Sequence, residues 1–176
     1  FTKSPTTLVM AEGEIAYAPR TENYHYEMEL VFALKSGGTK ITEADALSHI
    51  YGCAAGLDMT RRDLQNKAKE NRKPWDTAKD VDESAVITPL RQMSEVPSVA
   101  SGRIHLSQNG TIKQDADLSE MVWSVPEIIA DLSTMYTLQQ GDVIYMGTPA
   151  GVGAVSRGDV LAGGVEGIGD FEVKIA

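Results

Sequence analysis

Two carboxylates, Glu27 and Glu29, stand inside the otherwise apolar stretch NYHYEMELVFALK, residues 23–35. A strand core is a costly location for ionised groups unless something compensates them. Residues two apart on a strand share one face and sit roughly 6.6 Å apart along it, so both side chains can converge on one small object. Ionised carboxylates that close repel each other and are pushed towards the protonated form unless a cation lies between them. A divalent metal, held by hard oxygen ligands, removes the conflict. The alternative is an edge strand whose alternating glutamates face water, and the pair alone favours that plainer reading.

A second stretch, GLDMTRRDLQ (56–65), ends a small apolar segment on Asp58, where an unpaired carboxylate would again be costly. As a third oxygen ligand, Asp58 would leave several coordination positions for water or a chelating substrate, the arrangement Mg²⁺ prefers. Asp58 or Thr60 can equally serve as N-cap of a following helix, and the two roles are compatible. Arg61, Arg62 and Gln65 open that helix, either to meet an anionic ligand or as solvated helix residues. The glycine-rich GTPAGVG (147–153) has neither the Lys-Ser/Thr ending of a phosphate loop nor the G-x-G-x-x-G spacing of a dinucleotide site. It reads as a loop that lets backbone approach a ligand, with Thr148 offering a hydroxyl, or simply as a tight turn. Lys79 is the sole basic residue between Lys73 and Arg91. It gains chemical interest only if its loop folds over the carboxylates.

These side chains need elements to hold them. Alternation predicts a strand with Met28, Leu30, Phe32 and Leu34 on one face and His25, Glu27, Glu29, Val31 and Ala33 on the other. SGGTK (36–40) is a predicted turn, followed by a short helix capped by Thr42. Residues 50–59 read as a buried strand, 60–73 as a polar helix stopped by Pro74, and 74–90 as an ordered loop. RIHLSQNGTIKQD (103–115) predicts a hairpin turning at Asn109-Gly110, because both central positions of that turn need positive φ. Ser124 and Glu127 form a predicted capping box, and Val125, Ile128, Ile129 and Leu132 recur at helical spacing behind it. GDVIYMG (141–147) and FEVKIA (171–176) complete the strand set. Strands outnumber helices without alternating regularly with them, which argues for an α+β fold.

Composition bounds the function. The 176 residues suit one domain, and 16 basic against 25 acidic residues give a net charge of −9, adverse to nucleic acid or an anionic membrane surface. A local cationic pocket for a small anion remains compatible with that charge. One cysteine, Cys53, rules out an intrachain disulfide, and His25, His49 and His105 are too dispersed for a histidine metal motif. No apolar run approaches the roughly 18–20 residues of a membrane span, and no signal peptide opens the chain. The expectation is a cytoplasmic protein with 1–176 as one catalytic domain. The opening FTKSPTTLVM resembles the interior of a domain, so a further segment is expected ahead of it.

Together, HYEMELVFAL, GCAAGLDMTRRDLQ, PWDTAKDVDESAVITPL, GRIHLSQNGTIKQDADLSEMVWSVPEIIADLS and LQQGDVIYMGTPAGVG resemble the fumarylacetoacetate hydrolase family. They stand in the family's order, and E-x-E followed after about thirty residues by D-x-x-x-R-D is specific in combination. The resemblance implies a mixed β-roll of the family's C-terminal domain type with few short helices, and a homodimer. It also implies Mg²⁺ or Mn²⁺ on Glu27, Glu29 and Asp58, and a small anionic keto-acid substrate. The GLDMTRRDLQ, KPWD and MVWSV segments are most similar to those of the acylpyruvate-cleaving branch. By the same resemblance Lys79 meets the substrate or a developing oxyanion, Gln65 and Thr148 bond the oxo-acid end, and Arg62 anchors a carboxylate, with Arg61 beside it. The water-activating His and Glu of similar enzymes come from a segment ahead of the one matching FTKSPTTLV. Met146 of YMGTP stands where TGTP is the commoner pattern. The alternative within the family's chemistry is oxaloacetate decarboxylation or keto-acid isomerisation.

Overall fold

The computed structural model describes residues 1–176. The apolar face of Met28–Leu34 organises the fold: Met28, Leu30, Phe32 and Leu34 enter a single large core. That strand is internal to a six-stranded sheet running Leu8–Met10, Ala85–Ile87, Ile50–Asp58, Met28–Leu34, Val143–Tyr145, with Arg91–Gln92 added alongside Ile50–Asp58. A second sheet, Thr111–Asp117, Arg103–Gln108, Val160–Val165, Gly169–Ile175, Glu14–Ile15, supplies Leu106, Leu161, Phe171 and Val173 to the same core. A small third sheet, Gly153–Ala154, Tyr24–Tyr26, Thr60–Arg61, closes one end. Pairing is antiparallel apart from Leu8–Met10 with Ala85–Ile87 and Glu14–Ile15 with Gly169–Ile175. The result is the expected α+β fold of mixed sheets, in which the α-helices are short: Glu43–Ala46, Arg62–Glu70, Asp76–Lys79 and Val125–Met135.

Local signals acted where they were strongest. Asn109 (φ 52°) and Gly110 (φ 78°) turn the hairpin between Arg103–Gln108 and Thr111–Asp117. Thr42 accepts from the Asp45 N–H, and Ser124 with Glu127 closes a reciprocal capping box ahead of Val125–Met135. Val125 and Ile129 are buried, with Ile128 and Leu132 packed at the core's margin.

Three expectations need correction. The predicted helix 60–73 is trimmed to Arg62–Glu70, because Thr60 and Arg61 pair with Tyr24–Tyr26 and Arg72 turns to φ 53° before Pro74 is reached. Its N-cap is Arg61, without a side-chain cap, so neither Asp58 nor Thr60 takes that role. Residues 74–90 are not merely loop: they hold the helix Asp76–Lys79 and the strand Ala85–Ile87, which inserts between Leu8–Met10 and Ile50–Asp58.

Candidate metal and keto-acid site

Sheet register gathers the carboxylates. The Asp58 N–H donates to the Glu27 carbonyl at 2.9 Å, and Met28 pairs with Leu57 and Glu29 with Gly56. Glu27 and Asp58 therefore face each other across the antiparallel pair, and Glu29 is the next residue along on the same face. The strand itself breaks at Glu27, between Tyr24–Tyr26 and Met28–Leu34, so the expected continuous run is interrupted at its first carboxylate. Opposite Glu29, Gly56 leaves room for the Tyr145 ring: a Cβ there would lie 2.6 Å from the Val86 carbonyl oxygen and 3.0 Å from that ring. Tyr145 spans the strand to donate to the Val86 carbonyl at 2.9 Å, and burial together with Asp58 and Glu29 raises its phenol pKa.

All three carboxylates are buried, with one oxygen of each within 4.8 Å of the others. Lys79, only 1% exposed, donates to Glu27 Oε2 and to Asp58 Oδ2, each at 2.7 Å. Arg62 Nη2 bonds the other Glu27 oxygen, and Arg62 Nη1 donates to Gln65 Oε1 at 2.6 Å. Lys3 Nζ lies 2.9 Å from Asp58 Oδ1 while donating to the Met59 and Ser84 carbonyls and the Ser84 hydroxyl. Burial lowers the Lys3 ammonium pKa, against the opposing pull of Asp58. Glu29 has no ion pair in this cluster. It accepts the Gly147 N–H at 2.6 Å, and burial followed by repulsion from Asp58 pushes its pKa up to about 8.

The donor set suits a hard divalent cation. Asp58 Oδ1 is buried without a hydrogen-bond partner despite its ion pair, and Glu29 is held protonated at neutral pH, a state that a nearby positive charge would reverse. Three carboxylates presented from one face supply part of an octahedral shell and leave the remainder open.

Thr148 stands one residue beyond Gly147 and takes a hydrogen bond from Gln114 Nε2 at 2.8 Å. Arg61 and Thr148 are the sequence candidates with no bond into the cluster: Thr148 meets Gln114, and the Arg61 guanidinium donates to the Pro19 carbonyl at 3.1 Å. His25, two residues before Glu27, shares a hydrogen bond with Asn23 Oδ1 at 2.8 Å, and burial followed by Arg62 lowers its pKa. A cleft of about 450 Å³ is lined by Gly147 and Thr148 on one wall and by residues of Leu118–Trp123 on another, and none of the three carboxylates lines it.

The description "Fumarylacetoacetate (FAA) hydrolase C-terminal" matches residues 1–176 from end to end. The chain belongs to this family. A fumarylpyruvate hydrolase from Ralstonia sp is 53% identical over 175 residues, covering 99% of this chain and 91% of that protein. A mitochondrial oxaloacetate tautomerase from Rattus norvegicus is 35% identical over 172 residues, covering 97% and 78%. Among solved structures, the fumarylpyruvate hydrolase from Pseudomonas aeruginosa in complex with Mn2+ and pyruvate superposes with a TM-score of 0.96 at 40% identity, covering 100% of this chain and 77% of that one.

Sequence reasoning missed Lys3, Gln114 and the Gly147 N–H. Each reaches the site from far along the chain, brought there by tertiary packing that no local pattern states. Gln114 carried a faint signal, an amide in an otherwise well-formed hairpin arm, at the point where the ladder register shifts. The glycine-rich loop presses against protein as well: a Cβ on Gly151 would lie 2.0 Å from the Lys113 carbonyl oxygen, and one on Gly153 2.6 Å from the Tyr26 hydroxyl.

Proposed function

We propose that this chain is a divalent-metal-dependent hydrolase that cleaves the C–C bond of a 2,4-diketo acid, with fumarylpyruvate giving fumarate and pyruvate. One observation carries the reading: three buried carboxylates converge within 4.8 Å beside Lys79, in a chain 53% identical to a fumarylpyruvate hydrolase. Glu27, Glu29 and Asp58 would hold Mg²⁺ or Mn²⁺. When bound, that ion supplies a Lewis acid for the α-keto carboxylate and for negative charge developing on it.

The chain's own residues do the rest. Water adds to the acyl carbonyl, and cleavage leaves the bonding electron pair on the pyruvate carbon, which then takes a proton. Lys79 uses two N–H groups on Glu27 and Asp58, and its third, which lies over the Phe1 ring in the ligand-free fold, would turn to negative charge developing on the acyl oxygen. Arg62, steered by Gln65, fixes Glu27 and adds positive charge for a substrate carboxylate. Thr148 offers a hydroxyl to the oxo-acid end. Arg61, turned to Pro19, is left to the rim.

Around this chemistry we place one catalytic domain over 1–176, a cytoplasmic homodimer and a role in aromatic-compound breakdown. No helix is long and apolar enough to cross a membrane.

A second reading, oxaloacetate turnover, has the tautomerase relative at 35% identity in its favour. Mn²⁺-loaded protein is incubated separately with fumarylpyruvate, acetylpyruvate and oxaloacetate, and products are resolved by NMR. Fumarate and pyruvate from the first substrate are expected. Turnover confined to oxaloacetate would transfer the assignment to the second reading.

A further inference from the structure

The break in the strand at Glu27 leaves the Met28 N–H to be satisfied by a side chain, and Gln114 of the second sheet supplies it: Oε1 accepts that N–H at 3.0 Å. The same amide's Nε2 donates to the Pro149 carbonyl at 2.9 Å and meets Thr148 Oγ1 at 2.8 Å. Gln114 is fully buried and belongs to neither the carboxylate cluster nor the loop it touches. It ties Met28, the residue between two of the carboxylates, to the loop that carries Gly147 and Thr148.

Its orientation is fixed by chemistry. A backbone N–H can only donate and a carbonyl can only accept, so the atom facing Met28 is the amide oxygen and the atom facing Pro149 is the NH₂. The second proton of that NH₂ then points at Thr148, and the Thr148 hydroxyl must receive it. A hydroxyl whose oxygen accepts from the protein has its own proton left to give, and Thr148 has no other hydrogen-bond partner in the fold. Thr148 is half-buried at the edge of the site, next to the Gly147 N–H that binds Glu29.

We infer that Gln114 is a positioning residue that occupies one lone pair of Thr148 and leaves the threonine proton unclaimed by the protein, so that the site favours a ligand presenting an anionic oxygen, such as the carboxylate of an α-keto acid, at that point. This rests on the keto-acid reading given above. Gln114 touches no ligand; it acts through Thr148.

The test measures Mn²⁺ affinity, and pyruvate affinity of the Mn²⁺-loaded protein, by calorimetry. Wild type is compared with Thr148→Ser, Thr148→Val, Gln114→Glu, Gln114→Met and the double variant Gln114→Met/Thr148→Val. A buried Glu at 114 has at most one proton, and Pro149 claims it; the oxygen facing Thr148 then accepts and turns the threonine proton inward. Expected are near-wild-type pyruvate binding for Thr148→Ser and a loss of about tenfold or more for Thr148→Val, Gln114→Glu and Gln114→Met, the scale of one hydrogen bond to a charged group. Mn²⁺ affinity stays within about twofold throughout. The double variant should bind pyruvate no more weakly than Thr148→Val. If Gln114→Met does not fold, Gln114→Glu decides alone. Wild-type pyruvate affinity in Gln114→Glu, or a fall in Mn²⁺ affinity parallel to that in pyruvate affinity, overturns the inference and leaves the proposed function standing. Wild-type protein that binds Mn²⁺ but not pyruvate overturns both.

Discussion

Lys79 joins two carboxylates that would otherwise repel each other, and removing it should expose that repulsion. Lys79→Met removes the cation that Glu27 and Asp58 share and leaves them only Arg62 and Lys3 as partners, so thermal unfolding of the metal-free variant should show a loss of about 3 kcal/mol. Turnover of fumarylpyruvate should fall at least about a hundredfold even with Mn²⁺ present. Glu29 gives a pH signature. Its pKa stands near 8 in the folded chain against an ordinary 4.5, so the folded state holds this proton more tightly than the unfolded one. Metal-free stability contributed by this group is therefore complete below about 4.5 and lost as pH rises to about 8. Metal must displace the proton, so Mn²⁺ affinity should climb with pH and level off above about 8. Calorimetry in two buffers of different ionisation enthalpy should show close to one proton released at pH 6.5 and almost none at pH 9.

At the scale of elements, Ser124→Ala should cost about 1 kcal/mol in chemical denaturation while Mn²⁺ affinity stays unchanged, because the capping box lies on a helix that brings no ligand. Gly56→Ala should cost about 1–3 kcal/mol and also weaken Mn²⁺ binding, since a methyl group there displaces Tyr145 and the register that aligns Glu29. These two cases mark what the sequence could disclose. A capping box, a hairpin turn and the two-residue spacing of Glu27 and Glu29 are written in adjacent residues, and so they were legible. The meeting of Glu27 with Asp58 depends on register between strands, and no local pattern states register. Lys79 looked like a solvated loop lysine because its burial comes from the helix Asp76–Lys79 docking under Phe1, where the ammonium sits 4.7 Å from the ring centroid. Gln114 was hidden for the same reason: its partners lie 86, 34 and 35 positions away.

For the whole molecule, a site built from separated segments couples ligand to fold. Mn²⁺ at a hundred times its dissociation constant should add about 2.7 kcal/mol of stability, raising the melting temperature by roughly 5–10 °C, and EDTA should reverse the shift. Scanning calorimetry with and without chelator checks this. Lys3, Arg62 and Lys79 arrive from three regions of the chain to meet Glu27 and Asp58. Such a cluster carries its own counterions from the moment it closes. The chain is therefore expected to close around this site before any metal arrives, and the ion to enter a fold already formed.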